Sequence, residues 1–348
     1  MNMNEGSQNS ISIFDPIQEL ENDHLGRFQF AKRLLRRVST PGCSSTVGLY
    51  GGWGVGKTSI LKLMDALNEQ EQVPVFEKPK LVYIDVWPYE ISGDLALPVI
   101  VQIRSFLKAL PPADYSKNWR RILGVLAQAG VDIALRKTLN LELNNVKDYV
   151  DNLKDVSPDQ MKVRDLETLV DDIRGAQSAF RDLVLLARKA NQNRRLVFLI
   201  DNLDRCTPEN VVRLLESVKN FLYAPSCVWI FAMDAGVIAS YIDRKYEGTR
   251  MDGNSYLDKI IPEQYHIPPI SSRDMNKLEQ FLSKTKPKTS TGLPTIDLRK
   301  IPQLPEVLVP RRLLKTAQKF YEAYTTDSHL GNPASPDLAF ALILLYNT

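Results

Sequence analysis

The octapeptide at positions 51–58, Gly-Gly-Trp-Gly-Val-Gly-Lys-Thr, restricts the possible folds of this chain more than any other feature. It matches the pattern G-x-x-x-x-G-K-[ST], in which glycines let a loop curl so that its N–H groups point inward at an anion. An apolar run of strand length at 46–50 precedes it, and helical periodicity at 58–67 follows. The motif therefore predicts a phosphate-binding loop between a strand and a helix N-terminus. Its predicted members are Gly51, Gly52, Trp53, Gly54, Val55, Gly56, Lys57, Thr58 and Ser59.

The end of this motif predicts a nucleoside triphosphate with Mg²⁺ as the ligand, and ATP is the expected nucleotide. Lys57 is expected to reach the β- and γ-phosphates, and the Thr58 hydroxyl to coordinate Mg²⁺. A second position supports this, because Asp201 ends the apolar run at 196–200, where a carboxylate can serve the same metal. The alternative for Asp201 is an ordinary strand end. Thr58 and Asp201 are thus the predicted metal ligands.

Apolar runs of strand length alternate with helical periodicity along the chain, which predicts an α/β fold with a parallel central sheet covered on both faces. A further strand is predicted at 81–86, between the phosphate-binding loop and Asp201 in sequence. Few strand formers occur over 91–195, so we expect a helical insertion there. The predicted domains are a flexible lead-in over 1–22, a core with this insertion over 23–268, and a C-terminal helical subdomain, the lid, over 269–348.

Charge and composition restrict the class of protein. The 44 basic residues nearly balance the 41 acidic ones, and a net charge of +3 does not demand a nucleic-acid or lipid partner. Three cysteines without a close pair argue against a disulfide framework and fit a reducing cytoplasm. The N-terminus lacks the apolar core of a signal peptide. The apolar stretches at 122–135 and 338–346 are shorter than the ~20 residues of a bilayer span, so we expect a cytoplasmic protein without one.

Several further motifs resemble those of the KAP P-loop NTPases, a family that includes a phage-exclusion protein and many bacterial proteins in defence-type gene contexts. They run from about residue 23 to residue 321 and comprise GGWGVGKTSI, VWPYE, IDNLDRCTPENVVRLLESVKNFL, VWIFAMD, YLDKIIPEQYHIPP and VPRRLLK. The resemblance implies the additional-strand class of P-loop domains and a nucleotide-driven switch or motor with a helical lid. Many family members carry membrane helices between the phosphate-binding loop and the acidic strand, whereas this sequence has a soluble helical insertion there.

One departure from the family pattern bears on catalysis. The residue after the magnesium-binding aspartate is usually a second acid in this family, and here it is Asn202. A carboxylate at that position orients the attacking water and accepts its proton, but an amide cannot accept a proton. Asp204 is the nearest alternative base, followed by Glu90 at the end of the neighbouring strand. Tight binding with slow hydrolysis is the other possible outcome.

Four residues have both a nucleotide-related and a structural interpretation. Asp234 ends an apolar run, where it either senses the γ-phosphate or caps the following helix. Arg311 and Arg312 begin a helix of the lid. One of them either contacts the γ-phosphate, in cis or as an arginine finger in a neighbouring subunit, or belongs to a solvated basic face. For Arg205 we favour an ion pair with an acid on the following helix over a phosphate contact.

Three functional hypotheses follow from these residues. The first is slow ATP hydrolysis that drives a conformational or assembly change in bacterial anti-phage defence. The second is a nucleotide-stabilised scaffold with little turnover, which Asn202 favours. The third is a DNA-associated ATPase, which the near-neutral charge and the lack of a recognisable DNA module argue against. The segment 338–346 is apolar on every face, and we therefore expect it to contribute to a homo-oligomer or to a complex with another protein.

Overall fold

The computed structural model of the chain divides into two compact units. The sheet unit comprises Leu34–Gly51 and Gln70–His266, and the loop unit comprises Met1–Arg33, Gly52–Glu69 and Ile267–Thr348. The structure describes residues 16, 23, 25–40, 42–70, 78–92, 95–108, 110–118, 164–220, 222–225, 227–248, 251–269, 275–283, 286, 293–298, 309–326, 337, 340 and 343.

The described residues of the sheet unit form a five-stranded parallel sheet with the order β2-β3-β4-β1-β5. Every residue of β1, β3 and β4 is buried, as the continuous apolar runs predict for strands covered on both faces. Because β4 lies between β1 and β3, the sheet has the order of the additional-strand class, and the predicted fold class is confirmed. The strands are β1 (Thr46–Tyr50), β2 (Lys80–Asp85), β3 (Leu196–Asp201), β4 (Cys227–Met233) and β5 (Glu263–His266).

The edge strand β5 was not predicted from the sequence. Its four residues are polar and partly exposed, so they lack the apolar pattern of a strand. Parallel pairing with β1 holds these residues in a strand conformation, with Val47 opposite Glu263 and Tyr50 opposite His266. The guanidinium of Arg37 holds the first residue of β5, since its Nε and Nη2 donate to the two carboxylate oxygens of Glu263 at 2.7 and 2.6 Å.

Helices cover the sheet, and aromatic side chains of the strands stack within a mainly aliphatic core. The indole of Trp229 stacks on Phe198 with ring centroids 4.8 Å apart, and it also stacks on Phe231. The described parts of the predicted insertion are mainly helical, while the apolar stretch at 122–135 and the polar stretch at 140–159 lie outside the described residues. Among the described residues, the helices lying wholly in the sheet unit are α3 (Leu97–Leu107), α4 (Arg164–Ala190), α5 (Pro208–Asn220), α6 (Ala235–Lys245) and α7 (Gly253–Ile260), with 3-10 helices at Trp87–Ser92, Pro112–Asp114 and Leu203–Arg205.

The loop unit carries its own apolar core. Leu278 and Leu282 of α8 (Met275–Ser283) are buried together with Leu313, Ala317 and Tyr321 of α9 (Pro310–Thr326). The unit also contains α2 (Lys57–Glu69). Helix α1 (Phe28–Ser39) begins where the carboxylate of Asp23 accepts hydrogen bonds from the N–H groups of Arg27 and Phe28 at 2.8 and 2.6 Å. This N-terminal capping satisfies donors that an uncapped helix would leave open.

Near the C-terminus the structure describes Asp337, which precedes the apolar stretch 338–346, and Phe340 and Ile343 within it. All three residues are helical. The Phe340 ring is fully buried and meets Phe320 of α9 edge to face, with centroids 6.0 Å apart. One carboxylate oxygen of Asp337 accepts a hydrogen bond from the N–H of Asp297 at 2.7 Å. Phe340 is therefore covered by its own unit and not available to a partner. The partner role of 338–346 stays a prediction, since most of that stretch lies outside the described residues.

The helices of the described ranges include no candidate for a membrane span. None of them joins a length of 18 residues to the apolarity and low charge that a bilayer crossing requires.

Candidate functional site

The phosphate-binding loop leaves the carboxyl end of β1, where the N–H of Gly51 donates to the carbonyl of Met233 at 3.2 Å. Two of its glycines adopt left-handed backbone conformations, with φ of +80° at Gly54 and +102° at Gly56. A side chain strains the backbone at such φ values, so these two positions require glycine. Helix α2 then starts at Lys57, and its first turn closes when the N–H of Ile60 donates to the carbonyl of Gly56 at 3.0 Å.

The lysine of the motif is held close to the loop. Lys57 is only 8% exposed, and its ammonium donates to the carbonyl of Gly52 at 3.1 Å. Thr58 and Ser59 are half-buried in the first turn of α2, whereas the indole of Trp53 at the tip of the loop is 56% exposed. A buried ammonium, backbone N–H groups and the dipole of a helix start are together suited to bind a polyphosphate.

Helix α9 of the lid begins directly against this loop. A Cβ placed on Gly54 would lie 3.0 Å from the Cβ of Arg311 and 3.2 Å from Cγ1 of Val309. The backbone of the phosphate-binding loop thus touches the stem of Arg311, 257 positions later in the sequence. This neighbourhood favours the nucleotide-related interpretation of Arg311 over a solvated basic face. The half-buried Arg312 follows it in the same helical turn.

Asp201 ends β3 at the carboxyl edge of the sheet and is 1% exposed. One carboxylate oxygen accepts a hydrogen bond from the N–H of Asn202 at 2.9 Å, and the other accepts one from the Tyr83 hydroxyl at 3.0 Å. Burial, and then the charge of Asp201, raise the pKa of Tyr83 far above its ordinary value, so its hydroxyl remains a donor. A buried carboxylate is the kind of oxygen ligand that Mg²⁺ prefers, so this residue fits the predicted metal.

The chain turns sharply after Asp201. Asn202 has φ +63° and ψ +26°, a left-handed conformation that asparagine and aspartate tolerate better than other side-chain-bearing residues. The amide at this position is therefore compatible with the local backbone, and a carboxylate would be as well. Asp204 and Arg205 follow in the 3-10 helix, both half-buried. The guanidinium of Arg205 lies over the indole of Trp87, 4.9 Å from its centroid.

Glu90, the second candidate base, lies against the start of α5. One of its carboxylate oxygens accepts hydrogen bonds from the Thr207 N–H at 2.9 Å and from the Asn210 side chain at 3.1 Å. Burial acts to raise the pKa of Glu90, but hydrogen bonds from Thr207, Cys206 and Asn210 outweigh it and lower the pKa below its ordinary value. A carboxylate with a lowered pKa that caps a helix is a weak proton acceptor. The contacts of Glu90 thus favour a structural role.

Replacing Glu90 with glutamine is expected to lower the free energy of unfolding by about 1 kcal/mol at pH 7, the usual scale of a charge-assisted cap. Because the folded-state pKa of Glu90 is lowered, its contribution is complete above the unfolded-state pKa of about 4.3. The contribution is lost as the pH falls through the lowered value, so the difference between wild type and E90Q should shrink in acid. Urea unfolding at pH 7 and at several values below pH 4 measures this.

The exposed Glu209, in the first turn of the same helix, provides the matched control for this experiment. Glu209→Gln removes the same charge from the same helix end without breaking the hydrogen bonds of Glu90. A loss of stability in E90Q that equals the loss in E209Q at every pH would show that Glu90 does not act as a cap.

Asp234 is observed as the N-cap of α6. One of its carboxylate oxygens accepts hydrogen bonds from the N–H groups of Gly236 and Val237, at 3.1 and 3.4 Å. The structural interpretation of this residue is therefore observed, and a role as γ-phosphate sensor stays a prediction. Sequence reasoning missed Tyr83, which has no motif of its own and reaches Asp201 only because β2 and β3 are neighbours in the sheet.

The strand order and the loop after β1 define a P-loop NTPase of the additional-strand class. The family model of the KAP family P-loop domain matches residues 27–318, and the chain belongs to this family. A curated relative is the phage T7 exclusion protein of Escherichia coli (strain K12), 24% identical over 285 residues. That match covers 74% of this chain and 35% of the relative.

Two further relatives match over a shorter region. The kinase D-interacting substrates of 220 kDa of Rattus norvegicus and Homo sapiens are each 29% identical over 113 residues, covering 29% of this chain and 6% of theirs. This chain thus spans about a third or less of the length of the curated relatives. Among solved structures, the Aeropyrum pernix ORC2 protein, determined in ADPNP–ADP complexes, covers 96% of this chain and 71% of its own at 13% identity, with a TM-score of 0.37.

Proposed function

We propose that this protein binds ATP with Mg²⁺, hydrolyses it slowly, and acts as a nucleotide-driven switch or assembly ATPase in bacterial anti-phage defence. The observation that carries the proposal is the local geometry of the phosphate-binding loop. Its two left-handed glycines, its buried Lys57 and the helix start at Lys57 are what polyphosphate binding requires. The defence role draws on the name of the Escherichia coli relative, a phage T7 exclusion protein.

In this proposal the residues have separate tasks. Lys57 and the loop N–H groups bind the phosphates, and Thr58 and Asp201 hold Mg²⁺. The metal supplies charge neutralisation at the phosphate oxygens. Asp204 accepts the proton of the attacking water, since the side chain of Asn202 cannot and Glu90 is engaged by α5.

Arg311 supports the switch. Its stem packs on the loop that would hold the phosphates, so a guanidinium bound to the γ-phosphate ties the position of α9 to the nucleotide state. Loss of the γ-phosphate on hydrolysis removes that partner and frees the lid helix to move. A nucleotide-stabilised scaffold with little turnover is the second candidate function, because Asn202 stands where the family usually has an acid. Both functions share the binding step and differ in hydrolysis.

Binding is tested by Lys57→Ala. The wild-type melting temperature should rise with ATP and Mg²⁺, since a ligand at 100 times its Kd adds roughly 2.7 kcal/mol of stability. K57A should lose this rise because the ammonium that pairs with the phosphates is gone. In a phage plaque assay, K57A should also lose any protection that the wild type gives. Thermal unfolding with and without ATP·Mg²⁺ is the primary measurement.

The matched control is Lys62→Ala, which removes a second lysine from the same helix α2, more than a turn further on. K62A should keep the nucleotide-dependent rise. A K57A protein stabilised by ATP·Mg²⁺ as strongly as the wild type would remove the phosphate-binding loop from the proposed function.

A further inference from the structure

The carboxylate of Asp201 depends on a hydroxyl from the neighbouring strand. Tyr83 and Asp201 lie on adjacent parallel strands, and in the register of β2 and β3 the partner of Asp201 is Asp85, two residues beyond Tyr83. The phenol of Tyr83 extends toward the carboxyl edge and donates to Asp201 at 3.0 Å. The second oxygen of Asp201 accepts from its own neighbour, the N–H of Asn202. Each carboxylate oxygen therefore has at least one fixed donor.

We infer that Tyr83 is the positioning residue that fixes the Asp201 carboxylate for Mg²⁺, a deepening that rests on the proposed function. An aspartate side chain can rotate about two torsion angles. Asp201 is only 1% exposed, so its orientation depends on hydrogen bonds from the protein and not on bulk water. The hydrogen bonds from Tyr83 and Asn202 hold the plane of this carboxylate and so fix the direction in which its oxygens face. Such outer partners of a metal ligand orient it and preserve its charge.

The chemistry of the donor distinguishes this role from packing. A neutral phenol adds no charge and therefore does not compete with the cation for Asp201, as a lysine or arginine would. It stabilises the ionised carboxylate in a buried place, where an unpartnered charge is costly. Phenylalanine at position 83 would preserve the ring and remove the hydrogen bond that Tyr83 donates to Asp201.

The test is a Mg²⁺ titration at fixed, saturating ATP, followed by thermal unfolding. Tyr83→Phe should raise the Mg²⁺ concentration at half-maximal stabilisation by ~10-fold, the lower end of the range for such partners. Stabilisation by ATP in EDTA should stay at the wild-type level, because Tyr83 does not belong to the phosphate-binding loop. The control is Tyr223→Phe, which removes the hydroxyl of a 43% exposed tyrosine and should titrate as the wild type.

A purely structural role would lower the melting temperature of Y83F equally at every Mg²⁺ concentration and leave the midpoint unchanged, which would overturn the inference. A double-mutant cycle with Asp201→Asn adds an independent readout. In the Asp201→Asn background, Tyr83→Phe should change the midpoint no further, and an undiminished effect there would also overturn it. A wild type without any response to ATP·Mg²⁺ would overturn the proposed function and this inference together.

Discussion

Gly253→Ala is expected to destabilise the protein by roughly 3 kcal/mol or more, at or above the upper end of the cost of overpacking a core. A Cβ at this buried position would lie 2.2 Å from the carbonyl oxygen of Ala239 and 2.8 Å from its carbonyl carbon. The obstacle is the backbone of α6, which cannot rotate away as a side chain can. Helix α7 would have to separate from α6, and equilibrium urea unfolding measures the resulting loss of stability.

The same turn also fixes Gly253 by hydrogen bonds. Its N–H donates to a carboxylate oxygen of Asp243 at 2.7 Å, and the preceding Asp252 caps α7 by accepting from the N–H of Ser255 at 2.8 Å. Asn254→Ala is the matched control, since Asn254 is the next residue of the same helix and is exposed. It should change the free energy of unfolding by less than ~0.5 kcal/mol. A G253A protein as stable as the N254A protein would contradict the close packing of α6 and α7.

The strands at the centre of the sheet were predictable because burial on both faces leaves an unbroken apolar run. The bounds predicted for β1 agree with the structure, and β3 is longer by one residue, Asp201. The edge strand β5 carries no such signal, because its order comes from pairing with β1 and from the ion pair between Arg37 and Glu263. Local sequence does not contain these long-range contacts.

The loop of the candidate site was predictable for a related reason. The left-handed backbone at Gly54 and Gly56 requires glycine, so the glycines in the sequence predict the shape of the loop. No residue type in the sequence predicts which side chains contact the loop or Asp201. Arg311 touches Gly54, and Tyr83 binds Asp201 from 118 positions away, only because the fold brings distant segments together. The hydrogen bond from the Thr207 N–H to Glu90 at the start of α5 was likewise not predictable from the sequence.

Asp204→Asn is expected to lower the rate of ATP hydrolysis by ~10² or more, the usual scale for a general base. In this reaction the water oxygen bonds to the γ-phosphorus, the bond from that phosphorus to the bridging oxygen breaks, and the proton of the water goes to the Asp204 carboxylate. Asparagine cannot take that proton, while binding of ATP·Mg²⁺ should be nearly unchanged. Phosphate release under multiple turnover, with thermal stabilisation by ATP as the binding readout, measures both.

Two companion variants identify the base. Glu90→Gln should leave turnover near the wild-type rate, because that carboxylate is engaged by Thr207 and Asn210. Asn202→Asp should leave turnover equal or raise it, since the left-handed backbone at this position accepts aspartate. If D204N hydrolyses ATP as fast as the wild type while E90Q is slow, Glu90 is the base despite its cap and the assignment of Asp204 is wrong.

Hydrolysis also decides between the two candidate functions. A slow but measurable wild-type rate that falls in D204N identifies an enzyme whose nucleotide state changes over time, as a switch requires. A wild-type rate below detection that becomes measurable in N202D identifies a scaffold, because the missing acid alone then limits turnover. The comparison is sharp because Asn202 and Asp204 lie two residues apart after the same strand, beyond the buried Asp201. Substituting either one leaves Lys57, Thr58 and Asp201 in place, so a change in rate reports on proton transfer and not on binding.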